Sequence, residues 1–329
     1  MSDFFKNKIQ TNNSLDFTSL ALEVFQYQAS KNPVYQSFLK LLKVNTASVN
    51  RLTDIPFLPI SLFKSHTIIT GNHTPKITFS SSGTTGQQTS SHHIIDPDFY
   101  TQNAISGFAH FYGPVENYCI LALLPAYLER RGSSLVYMAK QFIQRSKYPA
   151  SGFYLDDLKG LSQQLAHQQA EGIPTLLIGV SFALMDLAEQ FPQDLSKITI
   201  METGGMKGRR KEITRAALHQ TLNTAFQTTK IHSEYGMTEL LSQAYSQGDE
   251  WFDGGTTMRV LAREINDPFN YVKMGRTGVL NVVDLANVNS CSFVATEDLG
   301  QVDQDNRFRV LGRLDASDIR GCNLMVGWD

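Results

Sequence analysis

The sequence is short of charge. Asp, Glu, Lys and Arg make up 18% of its 329 residues, below the roughly 25% usual for soluble proteins, and the formal net charge is only −2. Without a basic field, nucleic acid and anionic membrane surfaces are excluded as general partners, and any nucleotide must be held locally. Cysteine is also scarce. Cys119, Cys291 and Cys322 are an odd set without CxxC spacing, which argues against a disulfide framework and a zinc site. Long apolar runs are missing: residues 118–128, broken by Pro125, and 175–185 are the most apolar stretches. Both fall short of the roughly 18 to 20 residues that span a bilayer, so an integral membrane protein is not expected. The opening MSDFFKNKIQTNNS has no apolar core followed by a small-residue cleavage site. The expected compartment is therefore the cytoplasm.

What is present is a globular composition, 42% hydrophobic and 10% aromatic, in a chain long enough to bury roughly three quarters of its unfolded surface. Residues 20–28 and 34–42 carry apolar side chains at helical spacing, and Asp54-Ile-Pro-Phe-Leu-Pro59 breaks that pattern. From about Pro75 strand-like runs (76–79, 119–124, 175–180, 197–200) alternate with helical ones. After 197–200 the spacing puts Ile213, Ala217, Leu218, Leu222 and Phe226 on one helix face. This alternation predicts an α/β fold with a largely parallel sheet. After about Gly248 short strands at 278–283, 291–296 and 307–311, with a polar turn at Asp303-Gln-Asp-Asn306, predict a small antiparallel β unit.

Four segments can carry chemistry. Phe79-Ser-Ser-Ser-Gly-Thr-Thr-Gly86 is a loop of small residues whose amides and hydroxyls can wrap phosphate oxygens; by composition alone it reads equally as a flexible linker. It is neither a Walker A loop nor GxGxxG. The strand before it and His93-Ile-Ile95 after it favour a loop inside a domain. Ser233-Glu-Tyr-Gly-Met-Thr-Glu239 offers an aromatic face for a base, a hydroxyl for a phosphate and a carboxylate for Mg²⁺, or is a turn with an exposed glutamate and a packed tyrosine. Thr296-Glu-Asp-Leu-Gly300 can place an aspartate against ribose hydroxyls, or is an acidic β-turn. In Leu311-Gly-Arg-Leu-Asp-Ala-Ser-Asp-Ile-Arg-Gly-Cys322, Arg313 can reach ribose or phosphate from the other side.

In this order SSGTTG, YGMTE, TEDLG and GRLDASDIRG resemble the motif series of the adenylate-forming superfamily. Glu202-Thr-Gly-Gly-Met-Lys-Gly-Arg-Arg210 and Ile319-Arg-Gly-Cys-Asn-Leu324 are similar to the LuxE-type acyl-protein synthetases within it. The resemblance implies an α/β adenylate-forming core of mixed and parallel sheets, with 1–248 as helical start and α/β part, 249–315 as antiparallel unit and 316–329 as a short remnant of one domain. It implies that Ser81, Ser82, Gly83, Thr84, Thr85 and Gly86 hold the ATP phosphates. Gly204, Gly205 and Met206 would line the adenine slot, with Tyr235 stacking on the base. Thr238 would meet the α-phosphate, Glu239 the Mg²⁺, and Asp298 and Arg313 the ribose, while Cys322 would carry the acyl group as a thioester.

Only fourteen residues follow Asp315, so the C-terminal lid of the superfamily and its lysine are expected to be largely absent. Lys207 is then a candidate source of positive charge, although Lys207-Gly-Arg-Arg-Lys211 reads as well as a solvated helix start. The expected activity is a ligase that activates a fatty or other carboxylic acid with ATP and Mg²⁺. By the same resemblance Cys322 would pass the acyl group to an acyl reductase, with an acyltransferase as a further partner. The alternatives are an acyl- or aryl-CoA ligase and a degenerate nucleotide-binding subunit. Elsewhere Asp156-Asp157 reads as a solvated face or helix cap, and Cys119 and Cys291 as buried inert thiols. His92-His93 has no partner at metal-ligand spacing. His232 is either an acyl-pocket residue or a satisfied core histidine, and the Phe108, Phe111 and Tyr112 stripe is core more readily than an acyl tunnel wall.

Overall fold

The computed structural model describes residues 2–11, 16–81, 88–125, 132–204, 210 and 213–314. The chain begins with three helices, α1 (Ser2–Thr11), α2 (Phe17–Lys31) and α3 (Pro33–Leu41). Asp16 caps α2 by accepting from the amides of Thr18 and Ser19. Asn32 does the same for α3, where Pro33 fills the first helical position, which needs no amide donor. A two-residue strand β1 (Leu58–Pro59) and a short α4 (Leu62–Ser65) follow, then a hairpin of β2 (Ile77–Ser80) and β3 (Ser91–Ile94), and α5 (Pro97–Tyr112).

The α/β part continues through β4 (Cys119–Leu123), α6 (Ser134–Arg145), β5 (Gly152–Phe153), α7 (Leu158–Glu171), β6 (Thr175–Val180), α8 (Ser181–Gln190), β7 (Thr199–Thr203), α9 (Arg215–Phe226), β8 (His232–Tyr235) and β9 (Ala244–Ser246). These strands form one sheet in the order β5-β4-β6-β7-β8-β9, parallel except for β9. Every residue of β4 and β6 is buried, as expected of inner parallel strands covered on both faces. The expected parallel α/β sheet is therefore present. Asp157 caps α7, accepting from the Gly160 amide at 2.8 Å, so the cap reading of the Asp pair holds. The predicted face of α9 is only partly right. Leu218, Leu222 and Phe226 are buried, but Ile213 precedes the helix and is exposed, and Ala217 is exposed too. The buried polar His219 takes a place on the inner face because a carboxylate and a hydroxyl await it there.

The last four strands, β10 (Met258–Arg263), β11 (Gly278–Asp284), β12 (Phe293–Val302) and β13 (Phe308–Arg313), form an antiparallel meander joined on one side by β1, which pairs parallel to β12. β12 begins two residues later than the apolar run suggests and extends to Val302. The first helices pack on this sheet. The Phe293 ring lies 6.0 Å from Phe25, 6.2 Å from Tyr35 and 6.1 Å from Phe57. Gln28, fully buried on α2, donates to the carbonyls of Asn287 and Val288 and accepts from the Ser292 amide at 2.9 Å. The beginning and the end of the chain thus share one core, while the parallel sheet has its own. Phe108 stacks on Tyr112 at 4.8 Å inside the second core, and Cys119 and Cys291 are buried free thiols. Among the described residues no helix is long and apolar enough to cross a membrane.

Phe293 sits where three aromatic rings from separate segments meet. Phe293→Ala is expected to cost about 3–5 kcal/mol, the range for truncating a core phenylalanine. The urea unfolding midpoint checks this.

Candidate active site

Ligand sites in parallel α/β sheets form at the carboxyl ends of the strands, because the loops leaving those ends converge there. Here β7 ends at Thr203, paired with Glu234 on β8. Gly204 and Tyr235 therefore leave adjacent strands side by side. Gly204 has φ +70°, a conformation that favours glycine, and its carbonyl accepts from the Ser181 hydroxyl at 3.2 Å. Behind it, Glu202 is buried against Arg215 (Nε to Oε1, 3.0 Å) and His219 (3.7 Å). Burial alone would raise this carboxyl, but the His219 and Arg215 contacts hold it below the ordinary glutamate value.

The hairpin β2–β3 carries the stem of the Ser/Thr/Gly loop. Ser80 pairs with Ser91, the Ser81 amide donates to the Ser90 carbonyl at 3.1 Å, and the Ser90 amide donates to the Ser81 hydroxyl at 2.9 Å. The loop is thus cross-tied at its stem. Its tip, with Ser82, Gly83, Thr84, Thr85 and Gly86, lies outside the described residues, as do Gly205, Met206, Lys207 and Cys322.

From this stem two residues reach the YGMTE turn. The Ser90 hydroxyl hydrogen-bonds Glu239, which is 6% exposed. His92 contacts the Thr238 carbonyl through Nδ1 at 2.9 Å and the Ser290 hydroxyl through Nε2 at 2.8 Å. A carbonyl only accepts, so Nδ1 carries the proton; with burial keeping the ring neutral, Nε2 accepts from the Ser290 hydroxyl. Burial, which this neutral pairing permits, lowers its pKa to about 4. The turn is held from the other side as well. Asp284 accepts from the Leu241 and Ser242 amides (2.8 and 2.9 Å) and the Ser242 hydroxyl (2.6 Å), and Asn287 donates to the Glu239 carbonyl at 2.8 Å.

Tyr235 completes the link to the antiparallel sheet. Its hydroxyl donates to Asp298 Oδ2 at 2.8 Å, and its ring is packed by Phe308 (centroids 5.1 Å) and Phe252 (5.8 Å). Asp298 is directly opposite Arg313 in the β12–β13 register, so two residues fifteen apart in sequence become cross-strand neighbours. Arg313 itself pairs with Glu297 at 3.3 Å. Burial pushes the Asp298 carboxyl up, while the Tyr235 hydroxyl and the Arg313 charge pull it down less strongly.

Of the residues singled out in the sequence, the structure gathers Ser81, Gly204, Tyr235, Thr238, Glu239, Asp298 and Arg313 around neighbouring strand ends and turns. Ser90, His92, Asp284 and Asn287 are the functional supports that sequence reasoning missed. His92 was noticed only as half of a pair without metal-ligand spacing, and no local pattern marks the other three. His232 is half-buried, with Nδ1 3.2 Å from the Tyr112 hydroxyl and a pKa lowered to about 4 by burial.

Below its ordinary value of 6.5 the unfolded His92 takes up a proton, whereas the folded ring resists until about pH 4. The unfolded state therefore binds more protons in this window, and stability falls as pH falls from 6.5 to 4, by about 3 kcal/mol. His232 adds to the same slope. His92→Gln is expected to flatten the decline in part, as read from urea midpoints between pH 7 and pH 4.5.

Against known proteins, no family model matches the chain, and no curated protein matches it in sequence. Solved structures do resemble it. ATP-bound MatB from Rhodopseudomonas palustris aligns with TM-score 0.55 and 13% identity over 72% of this chain and 47% of its own, so the chain spans about half the length of that protein. 2-Hydroxyisobutyryl-CoA ligase aligns over 94% of this chain and 70% of its own. Its TM-score is 0.67 with 14% identity for the postadenylation complex with 2-HIB-AMP, and 0.65 with 15% identity for the thioesterification complex with 2-HIB-AMP and CoA. At such identities the shared feature is the fold alone: the chain has a mixed-sheet α/β architecture like that of the aligned parts of these proteins.

Proposed function

We propose that the protein activates a carboxylic acid, a fatty acid in the first instance, as an acyl-adenylate with ATP. The observation that carries this reading is the convergence of the loop stem at Ser81 and Ser90, the Thr238-Glu239 turn and the Tyr235–Asp298–Arg313 group on the carboxyl ends of β7 and β8. Each segment alone is equally a turn or a linker, and together they match the parts of an adenosine triphosphate: phosphates, a cation, a base and a ribose.

Asp298 would accept from ribose hydroxyls, with Arg313 beside it, and the Tyr235 ring and Gly204 with Gly205 and Met206 would border the base. Ser81, Ser82, Gly83, Thr84, Thr85 and Gly86 would donate to the β- and γ-phosphates, and the Thr238 hydroxyl to the α-phosphate. Glu239 fits a Mg²⁺ site: it is a buried carboxylate whose pKa burial raises, and among the described residues no cation is within ion-pair distance to neutralise it. Glu239 would hold the Mg²⁺, which when bound would supply positive charge at the phosphates.

In the proposed reaction a carboxylate oxygen forms a bond to the α-phosphorus as the bond to pyrophosphate breaks, and Lys207 is the candidate for added positive charge. The Cys322 thiolate would then attack the acyl carbon, expelling AMP and leaving a thioester for an acyl reductase partner, in the cytoplasm. A second reading has coenzyme A as the acceptor. It is favoured by the fold likeness to a CoA ligase solved with CoA and an acyl-adenylate.

ATP–pyrophosphate exchange across a panel of fatty and aromatic acids tests the proposal. Exchange is expected with at least one acid, and Glu239→Gln and Asp298→Ala should each lower it by about tenfold or more, as for loss of a transition-state charge contact. No exchange with any acid, alongside measurable ATP binding, would point to a nucleotide-binding subunit instead. The acceptor is decided separately. Cys322→Ser should abolish covalent acyl labelling and leave acyl-AMP formation intact, whereas CoA thioester formation unaffected by the substitution supports the CoA ligase.

A further inference from the structure

Helix α4 carries a charge that the site as described leaves unused. The segment around it is fixed at both ends. Before the helix the Ile60 amide donates to the Ala295 carbonyl of β12 at 2.9 Å, and after it the Thr70 amide donates to the Asn289 carbonyl at 2.8 Å. Within the helix Phe63 is buried, and its ring meets His92 edge-on at 5.6 Å. His92 in turn holds the Thr238 carbonyl, and Ser90, two residues before it, hydrogen-bonds Glu239. Ser90 and His92 are both buried, as alternate residues of an extended segment are when one face is covered. Phe63 and Glu239 therefore touch residues that stand about 6.6 Å apart along one strand face. This seats α4 beside the Thr238–Glu239 turn.

Lys64 follows Phe63 and is exposed. Among the described residues no carboxylate pairs with its ammonium, and no acceptor receives a hydrogen bond from it. Other cations around the site are engaged: Arg313 with Glu297 at 3.3 Å, Arg215 with Glu202 at 3.0 Å, and Arg210 with Asp186 and Glu189. Lys64 is nevertheless near enough to Glu239 for its charge to be felt there. Burial raises the Glu239 carboxyl, and the positive charges of Arg313 and Lys64 are among the influences that oppose it. An unpaired ammonium thus stands beside the turn and the hydroxyl-bearing stem at Ser81 and Ser90, on the side assigned above to phosphates.

We propose that Lys64 is a catalytic residue whose ammonium pairs with the β- and γ-phosphate oxygens of ATP. The inference rests on the nucleotide reading of the site. In the adenylation step a carboxylate oxygen bonds to the α-phosphorus, the bond from that phosphorus to the bridging oxygen breaks, and the electron pair leaves on pyrophosphate. Lys64 meets this charge as it forms, which lowers the barrier more than it stabilises bound ATP. A point charge on a flexible four-carbon stem can follow phosphate oxygens as they depart, where a planar guanidinium held by a carboxylate cannot.

Equilibrium dialysis of the full chain against radiolabelled ATP and AMP, with magnesium chloride and without acid, tests this. Lys64→Met is expected to weaken ATP binding about tenfold or more, the scale of one charge-assisted contact, and AMP binding by less than about twofold. Lys64→Arg should keep most of the ATP affinity and Lys64→Glu should lower it further than Lys64→Met, an order that a change of packing would not follow. Because Lys64 is exposed, thermal unfolding of these variants should match wild type. Lys40→Met, at an exposed position of α3, should bind ATP as wild type does. ATP bound equally well by Lys64→Met and wild type would overturn the proposal while leaving the nucleotide reading intact. Equal losses of ATP and AMP affinity would overturn it too. A wild-type chain that binds no ATP would remove the nucleotide reading itself, and the role of Lys64 with it.

Discussion

The buried carboxylate of Asp284, at the end of β11, accepts two backbone amides and a hydroxyl from Leu241 and Ser242, and the Ala286 amide besides. A turn leaving the end of a parallel strand has peptide groups that no ladder satisfies, and inside a core such groups are costly when left alone. Asp284 meets that demand from another sheet, and Asn287 and His92 meet the rest of it. The hairpin, the parallel sheet and the antiparallel sheet are thereby joined at one short segment, residues 238–242. Thr238 and Glu239 lie on that segment, Tyr235 ends the strand before it, and Ser81 stands on the loop stem bonded to it through Ser90.

This arrangement explains why His92 has to be neutral. It is enclosed by Phe63, by a carbonyl that accepts from Nδ1 and by the Ser290 hydroxyl at Nε2. A charged ring in this buried place would have no counter-ion. The same economy runs through Tyr235, whose single hydroxyl is spent on Asp298 while its ring is wedged by two phenylalanines. The site is rigid on this side because its side chains are held by groups that do no chemistry of their own.

Much of this could be read along the chain. The alternation of apolar strands and amphipathic helices identified the parallel sheet, since β4 and β6 are uninterrupted apolar runs and their period is a local property. The polar turn at 303–306 marked the β12–β13 hairpin, and from that hairpin follows the meeting of Asp298 with Arg313. The α9 face was misread at Ile213 and Ala217 because helical spacing continues past a cap that only the backbone reveals: Thr214 accepts from the Ala217 amide and starts the helix after Ile213.

By itself the sequence determined the fold class, the order of the four chemical segments and the residue types each contributes, because these rest on short-range periodicity and turn chemistry. Tertiary structure decided what no window along the chain contains. It seated the first helices on the last sheet through Phe25, Tyr35 and Phe293, and made Asp284, Asn287 and His92 the supports of the Thr238–Glu239 turn. Each of these joins groups dozens to hundreds of residues apart. Such contacts are fixed by the need to bury apolar surface and satisfy every buried polar group at once, a condition that applies to the folded chain as a whole.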